Sequence, residues 1–267
     1  MRFRLGTTLL LVLACCAAHA ASALVLPMPT KLGHIGAFTY DADGQRNGEA
    51  RLSLKRTAGG DVLLQVDIRL DSGARTRLQA RMEPIHHGRD LRVVTERSAS
   101  HNAEGTPVSS MTIDHRAGVA TCTDATQHTA SIRLPRPDRV LNVPLNLFLQ
   151  PLADGAEQQA DFQTLACGKD IRLVDTQARV TTRIPAGDGH PALVRVRCRF
   201  QLGALLSALA GPFLPKLVFW FDAGGSGGWV AHHAPLYSNG PSVLVLRRSL
   251  RPSQLRAPLL RADGRTD

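Results

Sequence analysis

From Gly48 onward the chain alternates strictly between apolar and polar residues. Ala50, Leu52 and Leu54 fall on one side and Glu49, Arg51, Ser53 and Lys55 on the other, the period of a half-buried strand. After Gly59-Gly60 the pattern restarts with Val62, Leu64, Val66, Ile68 and Leu70 against Gln65, Asp67 and Arg69. After Ser72-Gly73 it continues with Thr76, Leu78, Ala80 and Met82 against Arg75, Arg77, Gln79 and Arg81. With a first strand at 35–41, this predicts an up-and-down antiparallel meander over 35–82, one face packed and the other facing water.

Short strands separated by turns continue at 91–98, 109–114, 118–123, 160–167 and 171–182. The clearest follows them: Val194, Val196, Cys198, Phe200 and Leu202 point in while Arg195, Arg197, Arg199 and Gln201 point out. Two or three more strands are expected, at 217–221, 229–233 and 243–248. Two stretches break the rhythm. In 138–155, Leu141, Leu145, Phe148, Leu149 and Leu152 form a helical stripe, with Pro144 suited to a first turn and Pro151 limiting the length; an alternating strand through Val143, Leu145, Leu147 and Leu149 is the competing reading, and the short helix is preferred. The segment 202–214 is apolar all round, with Leu205, Leu206 and Leu209 clustered before Gly211-Pro212, and reads as a second short helix that plugs the sheet or lids it. The expected fold is mainly β, an antiparallel up-and-down barrel or curved half-barrel with two short helices.

The ends of the chain change the picture. Arg2 and Arg4, an apolar run at 9–13 and small residues at Ala18-His19-Ala20 or Ala21-Ser22-Ala23 make 1–23 a signal peptide, too short to span a bilayer. Val12-Leu13-Ala14-Cys15 can also be read as a lipidation box, which would anchor the chain at Cys15. Residues 24–250 then form a single β domain and 251–267 a partly disordered basic tail, with no transmembrane segment after cleavage. Arginine dominates over lysine, which occurs only at Lys31, Lys55, Lys169 and Lys216, a bias of GC-rich bacterial genomes that makes the export compartment the periplasm.

The net charge of +10 favours anionic partners. For an exported chain with 4% aromatic residues these are not nucleic acid but lipid, an anionic envelope polymer or an envelope protein. The same arginines also simply solvate the outer face of a sheet.

After cleavage the cysteines are Cys122, Cys167 and Cys198, an odd number for an oxidising compartment. Cys198 lies on the apolar side of its strand and is the candidate buried thiol, leaving Cys122 and Cys167 as the candidate bridge.

No catalytic constellation emerges. The run from Gly224 to Gly228 resembles the nucleophile loop Gly-Asp-Ser-Gly-Gly of trypsin-like serine proteases, but Gly225 stands where the aspartate belongs and no His-bearing segment supplies a base for Ser226. His86-His87 and His232-His233 are adjacent pairs, which on a strand point to opposite faces, so no metal site and no cofactor are expected. Asp41, Asp43, Glu49, Asp67 and Asp71 are scattered among basic residues as ion-pair partners. Trp220 and Trp229 flank the glycine loop, as a packed cross-strand pair or as a rim for an acyl chain.

The leader, the strand ending near Tyr40-Asp41, the Gly48 start of the next, the run 216–222 with Trp220, then Ala234-Pro235-Leu236 and Asn239-Gly240-Pro241 together resemble bacterial periplasmic families of unknown function built as antiparallel half-barrels or barrels. These are similar in architecture to lipoprotein-carrier and lipocalin-like proteins. The resemblance is a strand rhythm across the mature chain and assigns no binding residue. The sequence reads as a non-enzymatic exported protein that holds an apolar or amphiphilic envelope ligand in its concave face, with Leu205, Leu209, Phe200, Trp220, Trp229, Leu145 and Phe148 as candidate lining residues. An envelope assembly module that uses a sheet edge is the second reading, and a hydrolase the third.

Overall fold

The computed structural model describes residues 23–168, 170–187, 191–201, 217–224, 228–237 and 240–250. The leader expected over 1–23 (apart from Ala23), the tail at 251–267, the helix expected at 202–214 with Leu205 and Leu209, and Ser226 lie outside them. The described strands are β1 (Leu26–Pro27), β2 (Gly33–Tyr40), β3 (Arg46–Arg56), β4 (Val62–Leu70), β5 (Arg75–Ile85), β6 (Asp90–His101), β7 (Pro107–Asp114) and β8 (Val119–Thr123). They continue with β9 (Thr129–Arg133), β10 (Gln159–Ala166), β11 (Arg172–Ile184), β12 (Leu193–Phe200), β13 (Leu217–Asp222), β14 (Trp229–Pro235) and β15 (Ser242–Arg247). Two helices, α1 (Leu145–Phe148) and α2 (Gln150–Asp154), stand between β9 and β10.

All the named strands belong to one antiparallel sheet, the mainly β, up-and-down architecture expected of a curved half-barrel. Its order is β10 to β15 followed by β2 to β9, so the meander is interrupted once, where β15 pairs with β2 through Leu246 opposite Phe38 and Leu244 opposite Tyr40. At the β2–β3 end Gly48 is required by close approach. A Cβ there would lie 2.2 Å from the carbonyl oxygen of Arg69 on β4.

The sheet is open in hydrogen bonding, with β9 and β10 at its ends. Those ends are nevertheless brought together. Cys122 on β8 is bonded to Cys167, just beyond β10, with a Cα–Cα distance of 5.7 Å. The segment between β9 and α1 fills the rest of the seam. Val140 bridges Gln163 of β10 in parallel, and Leu141 N–H donates to the Gln163 carbonyl at 2.8 Å. The Asn142 carboxamide then stands in for a strand, accepting from Leu165 N–H and donating to Leu165 C=O, each at 2.8 Å. At the far end β1 takes the part of the β6 edge that β7 leaves, Leu26 opposite Leu91.

The concave face carries the principal core. Leu52, Leu54, Leu64, Val66 and Ile68 come from the opening meander, and Val194, Val196, Cys198, Phe219 and Phe221 from β12 and β13. The helices lie within this core rather than over its mouth. Leu145, Phe148, Leu149 and Leu152 are buried, and the Phe148 ring meets Phe162 edge-on at 5.3 Å. Pro151 in the first turn of α2 and Gly155, left-handed at φ 82°, keep them short.

Three expectations need correction. Arg195 does not face water but is 7% exposed, and it stands opposite Trp220 on the outer side of the sheet. That side of β12–β15 and β2 bears a second apolar cluster of Tyr40, Leu193, Val218, Trp220, Val230 and Leu246. A run such as Leu217–Asp222, apolar at nearly every position, buries both of its faces. Trp220 and Trp229 are not a cross-strand pair either. The register sets Trp220 opposite Ala231 and Phe221 opposite Trp229 across an irregularity, which places the two indoles on different faces. The strands β1 and β9 were not expected: β1 spans two residues, and β9 alternates polar with small or half-buried groups, so neither carries an apolar stripe.

Cys198 is buried and free, as expected, and burial pushes its thiol pKa up to about 12. The Cys122–Cys167 bridge spans 45 residues, and in the loop-entropy account a closure of that length is worth about 4 kcal/mol. Urea unfolding of Cys122→Ala/Cys167→Ala should show a loss of about 2–5 kcal/mol. A loss under about 1 kcal/mol would mean that the seam holds without its covalent tie.

Candidate functional site

The inner face of β5, β6, β7 and β8 is built in cross-strand rows. The outermost row sets Thr76, Ser100 and Ser109 side by side, the next Leu78, Ser98, Met111 and Cys122, and the third Ala80, Glu96, Ile113 and Ala120. In the same rows β4 and β3 carry Ile68 and Ala50, then Val66 and Leu52, then Leu64 and Leu54. Short side chains leave space, and a cavity of about 410 Å³ opens against the first two rows. Its other walls are Asn142, Val143, Leu165 and Cys167 at the seam, and the β14–β15 turn with Pro235, Leu236 and Tyr237.

That turn is fastened across the concave face. Thr76 Oγ1 donates to the Leu236 carbonyl at 2.8 Å. Its proton being used there, the 2.9 Å contact to Ser100 must be donated by Ser100. Among the described residues the hydroxyls of Ser98, Ser109 and Tyr237 make no hydrogen bond within the protein, and no charged side chain lines the cavity.

One row deeper stands Glu96, with no exposure to water. Its Oε1 accepts from His115 Nε2 at 2.9 Å, and its Oε2 accepts the backbone N–H groups of Asn142, at 2.8 Å, and Val143. The other imidazole nitrogen, Nδ1, is 2.8 Å from the Pro137 carbonyl oxygen. Both nitrogens therefore face acceptors, the setting of an imidazolium that donates twice. Burial alone would push this imidazole down. The hydrogen bond and charge of Glu96, with smaller help from Pro137 and Asp114, outweigh it and hold the pKa above 6.5. The pair pins the start of the helical segment to β6, and so forms the cavity's seam wall.

Of the residues expected to line a ligand site, Leu205 and Leu209 lie outside the described residues, and the others stand away from this cavity. Leu145 and Phe148 are core residues of α1, Trp229 is on the inner face near the opposite end of β14, Trp220 is on the outer face, and Phe200 is half-buried at the end of β12. None of these others borders the cavity, because the sequence reading looked for the largest apolar groups, whereas the cavity opens where short hydroxylated residues stand among Leu78, Met111 and Leu165. A signal was present in Ser98, Ser100 and Ser109, small hydroxylated residues at inward-facing positions of two strands.

His232 faces inward between Phe219, at 5.7 Å, and Trp229, at 5.5 Å. Burial, then the charge of His233, pushes its pKa down to about 4 and keeps it neutral. His86 sits in the turn after β5 with Nδ1 at 2.8 Å from Asp90. Among the described residues no three of His, Cys, Asp and Glu converge as a metal ion would require. On the outer face Asp67 pairs with Arg69 and Arg77, and Glu49 with Arg248. Arg92, then Arg116, hold Glu83 below the usual carboxylate range.

No protein-family model matches the chain, and no curated protein does. Among solved structures it is similar to a β-barrel-like protein of a domain of unknown function, DUF1849, from Brucella abortus. The identity is 11% over 85% of this chain and 97% of that one, with a TM-score of 0.45.

The His115–Glu96 pair makes stability depend on pH with a definite sign. A folded pKa above the ordinary 6.5 gives a contribution fully present below pH 6.5 and lost as pH rises through the folded value. The stability difference between wild type and His115→Gln in urea should therefore be largest near about pH 6 and shrink toward about pH 9. A difference constant across that range would show that the imidazole is uncharged.

Proposed function

We propose that this chain is an exported, non-catalytic protein that takes a small apolar or amphiphilic envelope molecule into the concave face of its sheet. The observation that carries this reading is the cavity, where the free hydroxyls of Ser98 and Ser109 lie beside Leu78, Met111, Val143 and Leu165. Its volume of about 410 Å³ is in the usual range for small-molecule sites. Export is supported by the disulfide, a bond favoured in oxidising compartments, and the described residues contain no helix long and apolar enough to cross a membrane. The exposed arginines of β3 to β6 favour an anionic surface nearby, either lipid or envelope polymer.

One observation favours the envelope-assembly reading. The edge of β10 is occupied by Val140 and Asn142, whereas β9 pairs only with β8 among the described residues. An extended segment of another envelope protein could add to that edge.

A neutral, single-chain, polarity-sensitive fluorophore tests the cavity. It should bind the wild type at micromolar concentration, and Met111→Trp, which fills the space from one wall, should abolish binding while leaving the unfolding midpoint close to that of wild type. Equal binding by Met111→Trp, or by heat-unfolded wild type, would overturn the reading and leave the β9 edge in front.

A further inference from the structure

The chemistry of the cavity wall narrows what it can hold; the argument rests on the binding reading above. We infer that the ligand's polar part is uncharged and hydroxylated, the chemistry shared by a glyceride head and a glycoside head, and that an anionic head of the same chain length is disfavoured.

The polar groups at the mouth are hydroxyls in register, Thr76, Ser100 and Ser109, with Ser98 one row deeper. Thr76 has given its proton to Leu236 and Ser100 its proton to Thr76, so these two can only accept, whereas the hydroxyls of Ser109 and Ser98 can turn to donate or to accept; together they match a partner that also does both. A carboxylate or phosphate only accepts, and it loses its hydration on entry. Such a group needs a cation or several converging N–H donors to replace that hydration.

None is offered here. Among the described residues no Lys, Arg or His lines the cavity, and one of the two Asn142 amide N–H groups is already given to Leu165, which leaves a single side-chain amide donor. The backbone N–H groups of Asn142 and Val143, the obvious remaining donors, are both taken by Glu96. A cationic head fares no better. The carboxylate of Glu96, in the row beneath Ser98, is the nearest candidate counter-charge on this face, and its oxygens are committed to three donors. Leu78 and Met111, flanking Ser98 in its row, supply the apolar contact for a chain.

Displacement of the neutral fluorophore by three lauryl compounds, used below their micelle-forming concentrations, tests the assignment. Monolaurin and lauryl glucoside should displace it at about tenfold lower concentration than laurate. The protein's positive charge works in favour of laurate, so the preference cannot come from the surface. In Ser98→Ala/Ser109→Ala the ratio should fall below about threefold, chiefly through weaker binding of the neutral pair. A wild-type ratio below about threefold, with all three compounds displacing the probe, would overturn the head-group assignment and leave the site standing. Failure of the probe itself to bind would instead remove the binding reading on which the assignment rests.

Discussion

Glu96 is the point on which the closure of this sheet depends. An ionised carboxylate without water is tolerated only if its oxygens are fully answered, and here one imidazolium and two backbone amides answer them. Those amides belong to the residues that run beside β10, and the imidazolium belongs to the turn after β7. One side chain on β6 thus fixes both the strand that follows it and the segment that fills the seam. The Cys122–Cys167 bond ties the same two regions covalently a short distance away. The seam has a polar clamp and a covalent one, and the cavity lies between β5–β7 and this doubly held wall.

The cavity is a consequence of composition within a regular pattern. The register from β3 to β8 is continuous except for local irregularities, so the inward positions form rows whose width depends only on the side chains placed there. The Leu, Val and Ile of β3 and β4 join the buried core, whereas beside Thr76, Ser98, Ser100 and Ser109 a cavity remains. The short helices complete the division by filling one part of the concave face and leaving the other open.

Most of the strands could be read directly from alternation, because a half-buried strand must place every second side chain in the core. The bridge between Cys122 and Cys167 was also legible, since Cys198 sat on an apolar face with no reason to leave it. The site was not. Ser98 and Ser109 have no hydropathic weight, and Glu96 reads as a surface carboxylate until His115 and the amides of Asn142 and Val143 are placed around it. These contacts join residues from distant parts of the sequence, and no local pattern encodes them. The tryptophans misled for the opposite reason: large apolar groups mark burial strongly, but they do not say which face of a doubly covered sheet they occupy.

The pairing of β15 with β2 has a kinetic meaning. Hydrogen bonds between strands from opposite ends of the chain require the largest loop closure in the molecule, and they cannot form until the last strand has been delivered. Until then β2 presents an unpaired edge to its surroundings, including the apolar Ala37 and Phe38 that later lie against Arg247 and Leu246. A chain made from its N-terminus therefore has its opening meander ready to fold while the β2 edge is still unprotected. For the time needed to deliver the remaining strands, its hazard is pairing with a second copy of itself.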